Sequence, residues 1–126
     1  MIDVLVVDDD FMVARIHQTF VDRTPGFTVV GTANTADEAL QAAAEKAPDL
    51  VLLDVHLPDA PGLDVLGRLR EVSPGVDVLV ISSARLADAA RRAVGGPDRQ
   101  LVKPFGYEAL RQRLEQYRHD REEPPG

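Results

Sequence analysis

The stretch IDVLVVDDD, residues 2–10, carries an uninterrupted apolar run from Val4 to Val7 straight into three carboxylates. An apolar run without polar alternation marks a strand covered on both faces, and such strands belong to parallel sheets packed by helices. The same design recurs downstream. DLVLL at 49–53 leads into Asp54, and DVLVI at 77–81 leads into Ser82 and Ser83. With 2–7, 27–31 and 100–102 these make five predicted strands. The second is more polar and the fifth is short, which places both at the edges of the sheet.

Between the strands the apolar spacing changes to a helical period. Met12, Val13, Ile16 and Phe20 predict the apolar stripe of a first helix that stops before the Thr24-Pro25-Gly26 turn. Thr35-Ala36-Asp37-Glu38 reads as a capping box, after which Leu40, Ala43, Ala44 and Ala47 recur at i, i+3, i+4 and i+7 before Pro48 ends the helix. Gly62 leads into a third helix with Val65, Leu66, Leu69 and Val72 on one side, and Ser73-Pro74-Gly75 turns the chain back. A fourth helix is expected from Leu86 to Val94. The fifth starts at Tyr107, with Leu110, Leu114 and Tyr117 on one face. Strands alternating with helices predict an α/β domain built on a parallel sheet. The charged residues from Arg118 to Glu123, with Pro124 and Pro125, read as the start of a linker or tail.

The 126 residues suit one domain, and a hydrophobic share of 44% with 28% charged residues is that of an ordinary globular protein. The apolar runs fall well short of the roughly 20 residues that cross a bilayer, and no export-signal pattern follows Met1, so a cytoplasmic protein without membrane association is expected. The chain has no cysteine, which excludes disulfides, thiol catalysis and cysteine-ligated metals. A net charge of -7 argues against nucleic-acid binding by this domain, because phosphate backbones are gripped by clustered Lys and Arg. Arg91 and Arg92 read as a solvated helix face.

Ligands of open parallel sheets bind beyond the carboxyl ends of the strands. Four of the five predicted strands end there in a reactive or charged group: Asp8, Asp9 and Asp10 after the first, Asp54 after the third, Ser82 after the fourth and Lys103 after the fifth. Crowded carboxylates raise one another's pKa unless a cation compensates. An oxygen-only donor set suits magnesium, and no His or Cys set offers a zinc site. A carboxylate is also a nucleophile toward phosphorus, and Asp54 is the best placed of these to form an acyl phosphate.

Val6-Val7-Asp8-Asp9, Leu53-Asp54-Val55-His56-Leu57-Pro58, Gly62, Ile81-Ser82 and Lys103-Pro104-Phe105, in this order and spacing, resemble the receiver domain of bacterial two-component response regulators. The resemblance covers residues 1–117 and leaves 118–126 as the linker or tail. It implies a flavodoxin-like (βα)5 three-layer sandwich with a five-stranded parallel sheet of order 2-1-3-4-5. It makes Asp54 the phosphoacceptor and a sensor histidine kinase the donor. Asp9 and Asp54 would bind Mg2+ directly, Asp8 through water or an outer contact, and His56 through its backbone carbonyl. Ser82 would hydrogen-bond the phosphoryl oxygen, Lys103 would pair with its charge, and Pro104 matches the family's cis-proline. The protein would be a signalling phosphoacceptor rather than an enzyme.

The run from Asp8 to Arg15 and the final helix are similar to the citrate and dicarboxylate-sensing branch, whose regulators carry a C-terminal helix-turn-helix domain. An isolated receiver cut from a transcription factor is therefore expected, touching DNA only through an effector domain absent here. The self-association the resemblance suggests is a homodimer through helix four, strand five and helix five. Gln100 stands where the family has Tyr or Phe, so the output is expected to pass through Ser82 with only a modest contribution from position 100. The alternatives are a free-standing relay or adaptor, and an aspartyl-nucleophile phosphohydrolase, which would want an acid where His56 stands. Plain roles are also open: Asp10 as a helix cap, Ser82 as a strand-end hydrogen bonder, Lys103 as an edge charge. His17 is placed on the exposed side of the first helix and His119 in the tail, so no histidine relay is expected.

Overall fold

The computed structural model describes residues 1–94 and 99–122. In chain order it comprises β1 (Ile2–Val7), α1 (Phe11–Asp22), β2 (Phe27–Ala33), α2 (Ala36–Lys46), β3 (Leu50–Asp54), α3 (Gly62–Val72), β4 (Asp77–Ser82), a 3-10 turn (Ala84–Leu86), α4 (Ala87–Val94), β5 (Gln100–Val102) and α5 (Tyr107–Glu122). All strand pairings within the sheet are parallel, in the order β2-β1-β3-β4-β5, so the two strands expected at the edges are there.

Successive side chains of a strand point to opposite faces, and the buried residues divide accordingly. Leu5, Val7, Val51, Leu53, Val78 and Val80 face α2, α3 and Ala90 of α4. Val4, Val6, Leu50, Leu52, Leu79 and Ile81 face α1 and α5. This is the three-layer, flavodoxin-like sandwich, and each fully buried Val, Leu or Ile contributes roughly 1.5–3 kcal/mol of transfer free energy. The turns at Thr24-Pro25-Gly26 and Ser73-Pro74-Gly75 rest on glycine at positive φ, 91° at Gly26 and 87° at Gly75.

The helix faces depart from the expected stripes at several points. On α1 the residues against the sheet are Ala14, His17 and Val21, while Phe11, Met12 and Ile16 are 65%, 63% and 48% exposed. The buried face lies roughly 120° around the helix from the expected one, at 100° per residue. Asp10 is the N-cap, accepting from Met12 N at 2.8 Å and Val13 N at 3.2 Å, and small Ala14 lets the helix approach the strands. His17 is therefore buried, not exposed. Its ring stacks on Phe105 at 5.2 Å, an aromatic neighbour that polarity alone does not suggest.

Elsewhere the corrections are smaller. Val72, at the last turn of α3, is exposed, and so are Ala44 on α2 and Ala47 just beyond it. Helix α2 ends at Lys46, with Ala47 as a left-handed cap at φ 45° ahead of Pro48. Thr35 Oγ1 accepts from Glu38 N at 3.1 Å as the capping box requires. The amides of Ala36 and Asp37 go instead to Asp59, from the loop after β3, at 2.7 and 3.1 Å.

The fourth helical segment opens with the 3-10 turn before α4. Helix α5 continues through Glu122, so the charged segment expected from Arg118 begins as helix. Arg118 Nη1 donates to Pro25 O at 2.7 Å, and Arg121 Nη1 lies 3.2 Å from Asp49. The remainder of that segment, 123–126, lies outside the described residues.

Candidate functional site

The sheet register decides which strand ends meet. Val7 pairs with Leu53 and Asp54 with Ile81, so Asp8 and Asp54 leave neighbouring strands side by side, with Ser82 one residue beyond the β4 partner. Lys103 arrives from the edge, its backbone N donating to Ser82 O at 2.8 Å. The peptide between Lys103 and Pro104 is cis.

Lys103 Nζ bridges the two buried acids, 3.3 Å from Asp8 Oδ2 and 3.3 Å from Asp54 Oδ2. The remaining oxygens are held by the backbone: Asp8 Oδ1 accepts from Asp10 N at 2.9 Å, and Asp54 Oδ1 from His56 N at 3.0 Å. Asn34 Nδ2 donates to Asp8 O at 2.9 Å, steadying the turn from below. Asp9 is exposed at the rim, and one carboxylate oxygen from each of Asp8, Asp9 and Asp54 lies within 4.8 Å of the others. That all-oxygen set fits a hard divalent cation such as Mg2+.

The electrostatics follow from burial. Removal from water pushes the Asp54 carboxyl up to about 6; the His56 N–H opposes this, the Asp8 charge adds to it, and Lys103 opposes it. Burial works against the Lys103 ammonium, yet Asp54 and Asp8 outweigh it and hold the lysine above its ordinary value. His17, whose Nδ1 lies 4.0 Å from Asp8 Oδ2, is held below its ordinary value by burial, opposed by Asp8 and reinforced by Lys103. Its Nδ1 is buried without a hydrogen-bond partner.

The structure thus gathers Asp8, Asp9, Asp54 and Lys103 at one point and brings Ser82 and His56 beside them. Sequence reasoning missed His17 and Asp59. The position of His17 three residues after Ala14, on the same helix face, was the available signal. Sequence reasoning also treated Gln100 as a gap where a ring belongs. Gln100 is buried, and its Nε2 donates to Ser82 Oγ at 3.0 Å and to Ala87 O at 2.8 Å.

The family model for the response regulator receiver domain matches residues 4–115. The transcriptional regulatory protein CitT of Halalkalibacterium halodurans is 42% identical over 122 residues, covering 94% of this chain and 53% of CitT. MalR of Bacillus subtilis, also a transcriptional regulatory protein, is 38% identical, covering 94% of this chain and 51% of MalR. The chain therefore spans about half the length of these curated relatives. Among solved structures, the receiver domain of AraT, a response regulator from Geobacillus stearothermophilus, superposes with a TM-score of 0.85 at 25% identity, covering 96% of this chain and 95% of that one. A family match across nearly the whole sandwich, with relatives in the citrate and dicarboxylate branch, leaves one assignment: this chain belongs to the response regulator receiver domain family.

Proposed function

We propose that the chain is a phosphoacceptor that takes a phosphoryl group from a sensor histidine kinase onto Asp54 and thereby switches an effector. The observation that carries the reading is the Lys103 bridge between Asp8 and Asp54, inside a cluster of three carboxylates. In the transfer, an Asp54 carboxylate oxygen attacks phosphorus and the P–O bond forms as the P–N bond to the donor imidazole breaks. The imidazole leaves with the electron pair and takes a proton from water. Lys103 stays paired with the charge that accumulates on the phosphoryl oxygens, and Ser82 supplies a hydroxyl donor beside it. Asp8, Asp9 and Asp54, with the backbone carbonyl of His56, are the residues that would hold Mg2+. That ion supplies positive charge against the phosphoryl oxygens.

No helix among the described residues is long and apolar enough to cross a membrane, in keeping with a receiver that meets its kinase in the cytoplasm. CitT and MalR are named as transcriptional regulatory proteins and are about twice as long as this chain. A DNA-binding effector following the receiver at about residue 117, reached through 118–126, and a homodimer through α4, β5 and α5 belong to the same proposal.

Intact-mass analysis after incubation with acetyl phosphate and Mg2+ tests the reading. One phosphoryl group is expected, lost in Asp54→Asn and in excess chelator. Stoichiometric labelling of Asp54→Asn overturns the assignment of the acceptor.

A further inference from the structure

Gln100 opens β5 and is buried, so the hydrogen-bonding capacity of its amide has to be met from inside the protein. Its Nε2 makes two bonds, to Ala87 O at 2.8 Å and to Ser82 Oγ at 3.0 Å. A carbonyl only accepts, so the Ala87 contact fixes which end of the amide carries the protons. In the second bond the Ser82 hydroxyl is therefore the acceptor. Its own proton is left for another partner. The Gln100 backbone reaches further, its carbonyl accepting from Arg113 Nε of α5 at 3.1 Å. One residue thus touches the strand end carrying Ser82, the first residue of α4 and the middle of α5.

Resting on the phosphoacceptor reading above, we propose that the Gln100 amide is a positioning and transmitting residue. It orients the Ser82 hydroxyl as a donor toward a phosphoryl group on Asp54, and it couples displacement of that hydroxyl to the first turn of α4 through Ala87. A ring at position 100 would respond to an emptied space, whereas an amide responds through its bonds. Because both hydrogens belong to one planar NH2 group, drawing Ser82 away by on the order of 1 Å either breaks the bond or moves the amide against Ala87. Gln100 is then an equal member of the pathway that starts at Ser82. Substitutions at the two positions are coupled rather than additive.

The test labels the 126-residue chain with acetyl phosphate and Mg2+, isolates the phosphorylated fraction, and follows amide hydrogen exchange over residues 84–91. In the unsubstituted chain, labelling should change exchange there by about tenfold, the equivalent of about 1.4 kcal/mol. At equal labelled fraction, Gln100→Met, similar in volume but without either bond, should reduce that change to less than about twofold, within the span of one or two buried hydrogen bonds. Ser82→Ala should do the same, and the double variant should be no worse than either single one. Gln100→Asn guards against a folding defect in the methionine variant. It keeps an amide but is one methylene too short to span both partners, and the same loss is expected. A full response in either labelled Gln100 variant, or losses that add in the double variant, overturns the proposal. Mass gain without any exchange change in the unsubstituted chain refutes transmission alone. Absence of mass gain refutes the phosphoacceptor reading as well.

Discussion

Replacing Asp54 with Asn should stabilise the metal-free protein, even though it removes the residue on which the proposed function depends. Asp54 is 2% exposed, and burial pushes its carboxyl from 3.8 up to about 6. The folded chain therefore holds this proton more tightly than the unfolded chain does. The contribution of Asp54 to stability is greatest in acid, falls as pH rises from about 4, and levels off above about 6. At pH 7.5 the ionised carboxylate costs up to roughly 3 kcal/mol relative to the same group in water. Asparagine keeps the shape and can still accept from His56 N and Lys103 Nζ, but it gives up the charge attraction to the lysine. A net gain of about 1–2 kcal/mol is therefore expected, read from urea unfolding by linear extrapolation in chelator at pH 7.5. At pH 4.5 the advantage should shrink. Saturating Mg2+ should reverse the order, since a ligand at about 100 times its Kd stabilises its binding form by about 2.7 kcal/mol and the variant lacks one donor carboxylate. Equal or lower stability of Asp54→Asn in chelator at pH 7.5 would refute the reasoning, because Lys103 would then more than offset the cost of burial.

Three further outcomes can be checked by the same unfolding measurement. Ala47 sits at φ 45° and is exposed, so Ala47→Gly should stabilise by about 0.5–1 kcal/mol, the left-handed penalty less the added chain entropy. His17 is held below its ordinary 6.5 by burial, so as pH falls through 6.5 the unfolded chain protonates first and stability drops. His17→Leu should remove that acid-side loss while staying within about 1 kcal/mol of the parent at pH 7.5, since it also removes an unsatisfied buried nitrogen. Tyr117 OH donates to Asp77 Oδ2 at 2.7 Å, and Tyr117→Phe should cost about 1–2 kcal/mol.

The strands and the two sheet edges were legible because β1, β3 and β4 must be apolar on both faces, a requirement that leaves little room for another reading of Val4 to Val7 or Leu50 to Leu53. The full order 2-1-3-4-5, by contrast, was implied by the receiver resemblance and is the order the structure shows. The orientation of α1 was not. Helical periodicity ranks residues by polarity, and on this helix it selected Met12 and Ile16 over His17, although the strands below needed a small residue at Ala14 and tolerated an imidazole against Phe105. The exposed end of α3 at Val72 escaped for a similar reason. An apolar residue at the right spacing is buried only if the neighbouring element extends far enough to cover it. Asp59 could not be anticipated as a partner of α2, because the amides it accepts from lie 23 and 22 residues away in sequence.

The site was more legible than its wiring. Strand ends and residue types sufficed to bring Asp8, Asp54 and Lys103 together, because parallel register fixes where those residues emerge. Charge explains why that arrangement invites the proposed chemistry. One ammonium facing three carboxylates leaves two negative charges, which is the charge of one divalent cation. Exchanging the Asp54 carboxylate for a phosphoryl dianion then adds a further negative charge that neither Lys103 nor such a cation has spare capacity to meet. The added charge has to be met by hydrogen-bond donors already in place, and a hydroxyl serves only if its proton is free. A buried serine whose proton was spent on a backbone carbonyl would first have to break that bond. Gln100 donates to Ser82 rather than accepting from it, so the residue that looked like a missing ring does not consume that proton.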